Sequence, residues 1–471
     1  MGQDLHSRPT HLPPPKSATM PRPSSSPTDC PQVVASAPTG WAPTRWAPTR
    51  VVTAGLMLGL LSALPNLARG DDWPAFRGPR GDGISTETAA PLEWSTEKNI
   101  LWKTPLAVAG NGSPIVARDR VWIAGPGTDP QDRSLLCFDR ATGKLRWSKT
   151  VAFTGEDPTH RTNPHCSSTP ATEGTRVVVW HGSAGLYCYD LDGAELWHRD
   201  LGTFRHIWGY GSSPVIWRDR LFLNAGPGEN SFVAAFDLKT GQTLWELKVP
   251  GGASGEAGAE SWTGSWSTPT LLERDGATEV LVSLPGRVVA LDAGTGEIAW
   301  SCEGLGKLVY TSAVVSEGLG LVMGGYHGPA LGFRLGGKGD VTNTHRLWLH
   351  DKKNPQRIGT GVVLGRHLYM ANEQFLAQCL ELETGNEVWT ARLPQGVIWG
   401  SLVRVGDRLY VTNQAGTTSV FRATPEKFEL LAENPLGETS NSTIAVSNGQ
   451  IFLRTHGHLY AIGAGDGGKA P

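Results

Sequence analysis

The side chains able to do chemistry gather in short segments that each precede a small-residue opening such as Ser213-Pro214 or Thr268-Pro269. One segment carries His160, Asn163, His165 and Cys166; the next carries His206, Trp208 and Tyr210; a third carries Glu260, Trp262 and Trp266. Tyr310, Gln356 with Arg357, Trp399 and Asn441 stand in the same relation to later openings. Aromatic rings interleaved with imidazole, carboxylate, amide and guanidinium groups are the lining expected of a site for a polar, ring-shaped or extended ligand. Two plainer readings stand beside that one. The aromatics can fill a channel as packing, and Arg357 can pair with a neighbouring carboxylate. His160, His165 and Cys166 match no standard metal-ligand spacing, so no metal is assigned.

Other signatures fail on context. Gly332 with Gly337-Lys338 has the spacing of a phosphate loop, but Gly339 replaces the metal-binding hydroxyl residue and no helical pattern follows. Gly463, Gly465 and Gly468 lie in a tail without a βαβ pattern. Neither G-x-S-x-G nor H-E-x-x-H occurs, and no catalytic residue is assigned. The net charge is −2, which gives no basic face for nucleic acid.

The elements that must position these residues are repeated strands. Cys137-Phe138-Asp139 leads to Gly143 and Trp147, and Cys188-Tyr189-Asp190 to Gly193 and Trp197. The unit returns as Asp237, Gly241 and Trp245, as Asp292, Gly296 and Trp300, and as Glu381, Gly385 and Trp389. Asp-x-x-Thr-Gly between apolar runs is a tight hairpin, with the carboxylate accepting turn N–H groups and Gly at positive φ. The Trp then sits on the outgoing strand as a staple between sheets. Upstream, each unit opens at Ser113, Thr169, Ser213, Thr268, Ser312, Thr360, Ser401 or Ser442-Thr443. Alternating runs such as Arg220-Leu-Phe-Leu follow, a period-2 pattern that specifies strand.

Eight openings over residues 71–471 leave about 50 residues per unit, the size of a four-stranded blade. The fold expected is all-β: an eight-bladed β-propeller of four-stranded antiparallel blades. The fifth unit (Leu331 to Trp348) and the seventh (from Phe421) lack the turn signature. Leu459-Tyr460-Ala461-Ile462 stops at a third strand, whereas Ile100-Leu101-Trp102 is a Trp strand with no blade before it. Joined, the N- and C-terminal strands share one blade and close the ring. The aromatics Trp102 and the five repeat tryptophans are therefore structural. Cys137, Cys188 and Cys379 hold one repeat position, too far apart between blades to bridge, and are expected to be buried thiols.

Residues 1–50 are rich in Pro, Ser and Thr and read as a disordered leader. Residues 51–70 read as a signal-peptide hydrophobic region, with Arg45 and Arg50 before it and Ala68-Arg69-Gly70 as a cleavage site. An exported protein, periplasmic or extracellular, is expected, with no membrane span after cleavage. Cys30 precedes the apolar run, so no lipid-attachment cysteine is assigned. Residues 71–97 form an N-terminal extension, 98–465 the propeller and 466–471 a tail.

The recurrent Asp-x-x-Thr-Gly-x-x-x-Trp unit resembles the PQQ-like (pyrrolo-quinoline quinone) repeat propellers over residues 98–465. Asp72-Trp73-Pro74-Ala75-Phe76-Arg77-Gly78-Pro79 resembles the start of secreted bacterial members. That resemblance implies the fold directly and an activity only weakly. Quinone-dependent members commonly carry adjacent cysteines over the cofactor, an axial carboxylate and a Ca²⁺ site; no two cysteines here are adjacent. PQQ thus enters as a possibility of the resemblance alone. The function expected is a non-catalytic binding or scaffold role through the funnel rim, as a monomer, for an envelope protein or small polar ligand. The alternatives are a PQQ-dependent alcohol or sugar dehydrogenase and an outer-membrane protein assembly scaffold.

Overall fold

The computed structural model describes residues 72–464 except 128, 130, 253–261, 352–356 and 395. The leader and signal region, Glu260, Gln356 and the tail lie outside the described residues.

Among the described residues eight blade sheets follow one another along the chain, each an up-and-down set of antiparallel strands, and a ninth, two-stranded parallel sheet joins Gly264–Ser265 to Leu308–Val309. Blade 1 runs from the innermost strand Ile115–Ala117 to the outermost Leu145–Val151, and blades 2 to 7 repeat the plan. Blade 8 takes three strands from Ala445–Ser447, Gln450–Arg454 and His458–Ile462, and its outermost strand from Ile100–Pro105. The ring is therefore closed between the two ends of the propeller, with Ala461 opposite Trp102. Blade 4 gains a short parallel fifth strand, Gly339–Asp340, from the excursion that replaces the missing turn of blade 5. Among the described residues no helix is long and apolar enough to cross a membrane.

Two seams hold neighbouring blades together. The outer seam is the Trp and the turn. The Nε1–H of Trp147 donates to Leu191 O at 3.0 Å, of Trp197 to Leu238 O at 3.0 Å and of Trp245 to Ala293 O at 3.1 Å, each in the next blade. Trp102 crosses the closure to Arg140 O at 2.8 Å. The turn glycines adopt φ between 69° and 86°, and a Cβ on any of them would meet the preceding blade's Trp at 2.5–3.0 Å. Glycine is needed twice over: for the backbone angle and for the ring that lies on it.

A small residue stands across from each of these tryptophans: Cys137, Cys188, Ala235, Ala290, Gly332 in blade 5, Cys379 and Ala461. Blade 7 reverses the volumes, with Val420 facing Ala432. The repeat cysteines are thus buried space-fillers, and the described cysteines are all unpaired thiols. Burial raises Cys137 and Cys379 to about 12, which keeps them inert.

The inner seam is a closed ring of hydroxyls. Ser113 N–H donates to Thr169 Oγ1, Thr169 N–H to Ser213 Oγ, and so on through Thr268, Ser312, Thr360 and Ser401. Ser401 N–H donates to Thr443 Oγ1, and Thr443 N–H returns to Ser113 Oγ. All eight bonds span 2.9–3.1 Å. The eighth member is Thr443 and not Ser442: Ser442 points the other way and donates to Arg454 O. In a strand each one-residue step reverses the face, so an opening placed one residue early points away from the axis.

The N-terminal extension crosses the opposite end of this channel. Trp73 pairs with Val116 of blade 1, Thr172 N–H of blade 2 donates to Pro74 O, and Ile84 pairs with Arg404 of blade 7. Between them Arg77, fully buried, donates to Thr360 O at 2.8 Å and Gly361 O at 2.6 Å in blade 6. Saturating a buried guanidinium with carbonyls is what makes its burial tolerable. The strap then runs along blade 7, where Trp94 stacks on Tyr410 and bonds Asn434, before entering blade 8.

Candidate functional site

The channel holds a cavity of about 360 Å³, within the size range of small-molecule sites. Its wall consists of two stacked rings. The lower is the hydroxyl ring just described, and all eight members line the cavity. The upper lies two residues earlier in each blade: Asn111, Ser167, Gly211, Trp266, Tyr310, Ile358, Trp399 and Asn441. Strand-like periodicity explains why positions two apart share the axial face. The strap supplies the floor through Phe76, and His160, Thr162, Asn163, Trp208 and Tyr326 complete the lining.

The rings differ in chemistry. Each hydroxyl of the lower ring accepts one N–H and keeps its own proton to donate. The upper ring is divided: Trp266, Tyr310, Ile358 and Trp399 fall on consecutive blades 4 to 7, whereas Asn441, Asn111, Ser167 and Gly211 fall on consecutive blades 8, 1, 2 and 3.

The aromatic half is built into a cluster. Trp266 meets Tyr310 edge to face at 5.0 Å, and Trp208 meets Trp262 at 4.8 Å and Tyr326 at 5.7 Å. Trp266 is held by donation from Nε1 to Gly209 O at 2.8 Å. The amide half is chained: Asn441 Nδ2 donates to Asn111 Oδ1 at 3.2 Å, and Asn111 Nδ2 to Thr162 O at 3.0 Å. Asn163 Nδ2 donates to Trp208 O at 2.6 Å, tying the two halves together. Asn441 Oδ1 is buried and has no hydrogen-bond partner among the described residues.

Of the residues predicted for the rim, His160, Asn163, Trp208, Trp266, Tyr310, Trp399 and Asn441 line the cavity. Trp262 backs Trp208 without lining it. Tyr210 and Arg357 do not line the cavity; both lie three residues before a hydroxyl-ring member, on the opposite face of the chain. Tyr210 is buried against Trp180, its hydroxyl accepting Cys166 N–H at 3.1 Å. Arg357 is buried with Nη2 on Gln378 Oε1 at 3.3 Å, and burial lowers it to about 10. His206 and His165 also stand behind the wall. His206 is enclosed between Trp208 and Trp266, and burial lowers it to about 4. Burial, then Arg133, lowers His165 to about 4. Both are therefore neutral imidazoles at neutral pH.

Sequence reasoning missed Phe76, Asn111, Thr162, Ser167, Gly211, Tyr326 and Ile358. The signal for Asn111, Ser167, Gly211 and Ile358 was the alignment of the eight hydroxyl residues followed by a step back of two. Phe76 lay inside a motif noted only for its resemblance.

Among the described residues no Lys, Arg, Asp or Glu lines the cavity, and no group of three or more His, Cys, Asp and Glu is placed to hold a metal. A quinone bearing several carboxylates, held beside Ca²⁺, needs cations and carboxylates to balance it. The residues present do not fit that group.

Ring, seams and closure together define an eight-bladed propeller of PQQ-like repeats. The chain belongs to the family described as outer membrane protein assembly factor BamB, whose profile matches residues 92–301 and 229–470. It is 23% identical over 350 residues to the factor of that name from Burkholderia pseudomallei (strain K96243), covering 66% of this chain and 84% of that one. The crystal structure of BamB from Moraxella catarrhalis matches with a TM-score of 0.53 at 14% identity, over 79% of this chain and 99% of that one. The quinohemoprotein alcohol dehydrogenase of Comamonas testosteroni matches with 0.58 at 13% identity, over 86% and 83%. At such identities the structural likeness speaks for the fold alone. The strap residues Trp73 to Ile84 precede the matched segments.

Proposed function

We propose that this chain is an extracytoplasmic, non-catalytic binding propeller that takes a ligand into the mouth of its axial cavity. The observation that carries the reading is the divided upper ring. A wall required only for packing has no reason to sort apolar and amide side chains onto opposite halves, whereas a ligand with one apolar and one polar side does. The sites proposed are Trp208, Trp266 and Trp399 on one half and Asn441 and Asn111 on the other, with Trp262 supporting them. Export is supported by the hydrophobic region at 51–70, and monomeric action by a ring whose two ends close within one blade. Dye-linked oxidation of alcohols and sugars by the full chain, supplied with PQQ and Ca²⁺, tests the non-catalytic part. No turnover above buffer is expected, and sustained turnover overturns it.

A second reading has its own support. The family and relatives bear the name of an outer-membrane assembly factor, and an assembly scaffold with an envelope protein as partner accords with that. Cross-linking in the native envelope tests it: recovery of an outer-membrane assembly protein is the expected result, and its absence counts against the scaffold.

A further inference from the structure

We infer that the ligand of the axial mouth is a neutral carbohydrate, a sugar ring or short glycan; this rests on the mouth being a binding site. Charge narrows the choice first. A ligand carrying net charge would leave water for a lining that, among the described residues, has no carboxylate, ammonium or guanidinium group, and uncompensated burial of charge is costly. Arg77, Arg357 and Arg454, buried cations near the wall, are engaged elsewhere, on Thr360 O and Gly361 O, on Gln378, and on Gly112 O and Ala124 O.

Shape narrows it next. A purely apolar ligand would strand the amides of Asn441 and Asn111 and the protons of the hydroxyl ring. A pyranose is amphipathic in the required sense, with C–H groups on its faces and hydroxyls on its edge. Trp266, Tyr310 and Trp399 offer surfaces for the C–H face. Across the cavity, the Asn441 and Asn111 amides present the polar wall to the sugar's hydroxyl edge, and the hydroxyl ring donates to sugar oxygens. Phe76 stops the ligand from passing through, so binding is from the mouth, where Tyr326 is 48% exposed.

The experiment is calorimetry and tryptophan fluorescence on the full chain with four probes: maltotriose, triacetylchitotriose, a galacturonic acid trimer and choline. At least one neutral trisaccharide is expected to bind saturably at one site. Trp399→Ala removes a ring that packs on no other aromatic ring among the described residues and should weaken it about tenfold, the loss of roughly 1.4 kcal/mol, at an unchanged melting temperature. Asn441→Ala, on the other half, is the second variant and should weaken it similarly. Binding of choline or the charged trimer alone, weakened by these variants, overturns the carbohydrate assignment and leaves the binding mouth intact. Binding of none of the four, or binding indifferent to both variants, overturns the carbohydrate assignment. A ligand-free cavity in protein purified from its own source overturns the mouth as well.

Discussion

Two rings of eight residues, one two positions above the other, share an axis and differ in how strictly they are kept. The lower is Ser or Thr in every blade, including blades 5 and 7, whose turn signature is gone. The upper ranges from Gly211 to Trp266. The lower ring is constrained because each hydroxyl is the acceptor for a buried N–H of its neighbour, and an acceptor lost anywhere leaves a donor stranded. The upper ring carries no such duty, so its side chains are free to be assigned to a ligand. Uniformity marks assembly, and variation is what the proposed recognition role requires.

That contrast can be broken by experiment. The largest effect belongs to the outer seam, as the benchmark for fastening: Trp245→Ala should cost about 3–5 kcal/mol by urea denaturation, since the indole is buried and bonded to Ala293 O. An unchanged midpoint would remove the Trp from any fastening role. In the lower ring, Thr268→Val keeps the shape but strands Ser213 N–H, and should cost about 1–3 kcal/mol; Thr268→Ser should restore most of it. If valine is tolerated like serine, the closed circuit of hydrogen bonds is not what keeps the lower ring uniform.

Behind the upper ring, His206 tests how dry the wall is. Its folded-state value of about 4 lies below the unfolded value of about 6.5, because burial disfavours the imidazolium. The unfolded chain therefore binds the extra proton first. Stability is complete above about pH 6.5 and falls as pH drops toward 4, on the order of 1 kcal/mol per unit for this group. His206→Gln should flatten the slope in that window; a melting profile unaltered by the substitution would show that the imidazole is hydrated. The smallest effect is expected in the upper region itself. Tyr326→Ala, at an exposed mouth residue, should change stability by no more than about 0.5 kcal/mol, measured by thermal melting.

The strands, the turns and the eightfold count were legible in the chain, because period-2 alternation and Asp-x-x-Thr-Gly-x-x-x-Trp are local physics repeated often enough to be recognised. So was the closure, since an incomplete blade at each end of the propeller has one partner available. The identity of the cavity wall was not. Trp266 and Trp399 could be distinguished from Tyr210 and Arg357 only by which face of an irregular lead-in segment each occupies, and a shift of one residue exchanges axis for wall. The floor was further out of reach. Nothing local to Trp73-Pro74-Ala75-Phe76-Arg77 indicates that its carbonyl partners lie near residue 360; that contact exists because the closed ring brings blades 1, 2, 6 and 7 around one axis. Local sequence determines the blade, and only the closed ring decides what faces its centre.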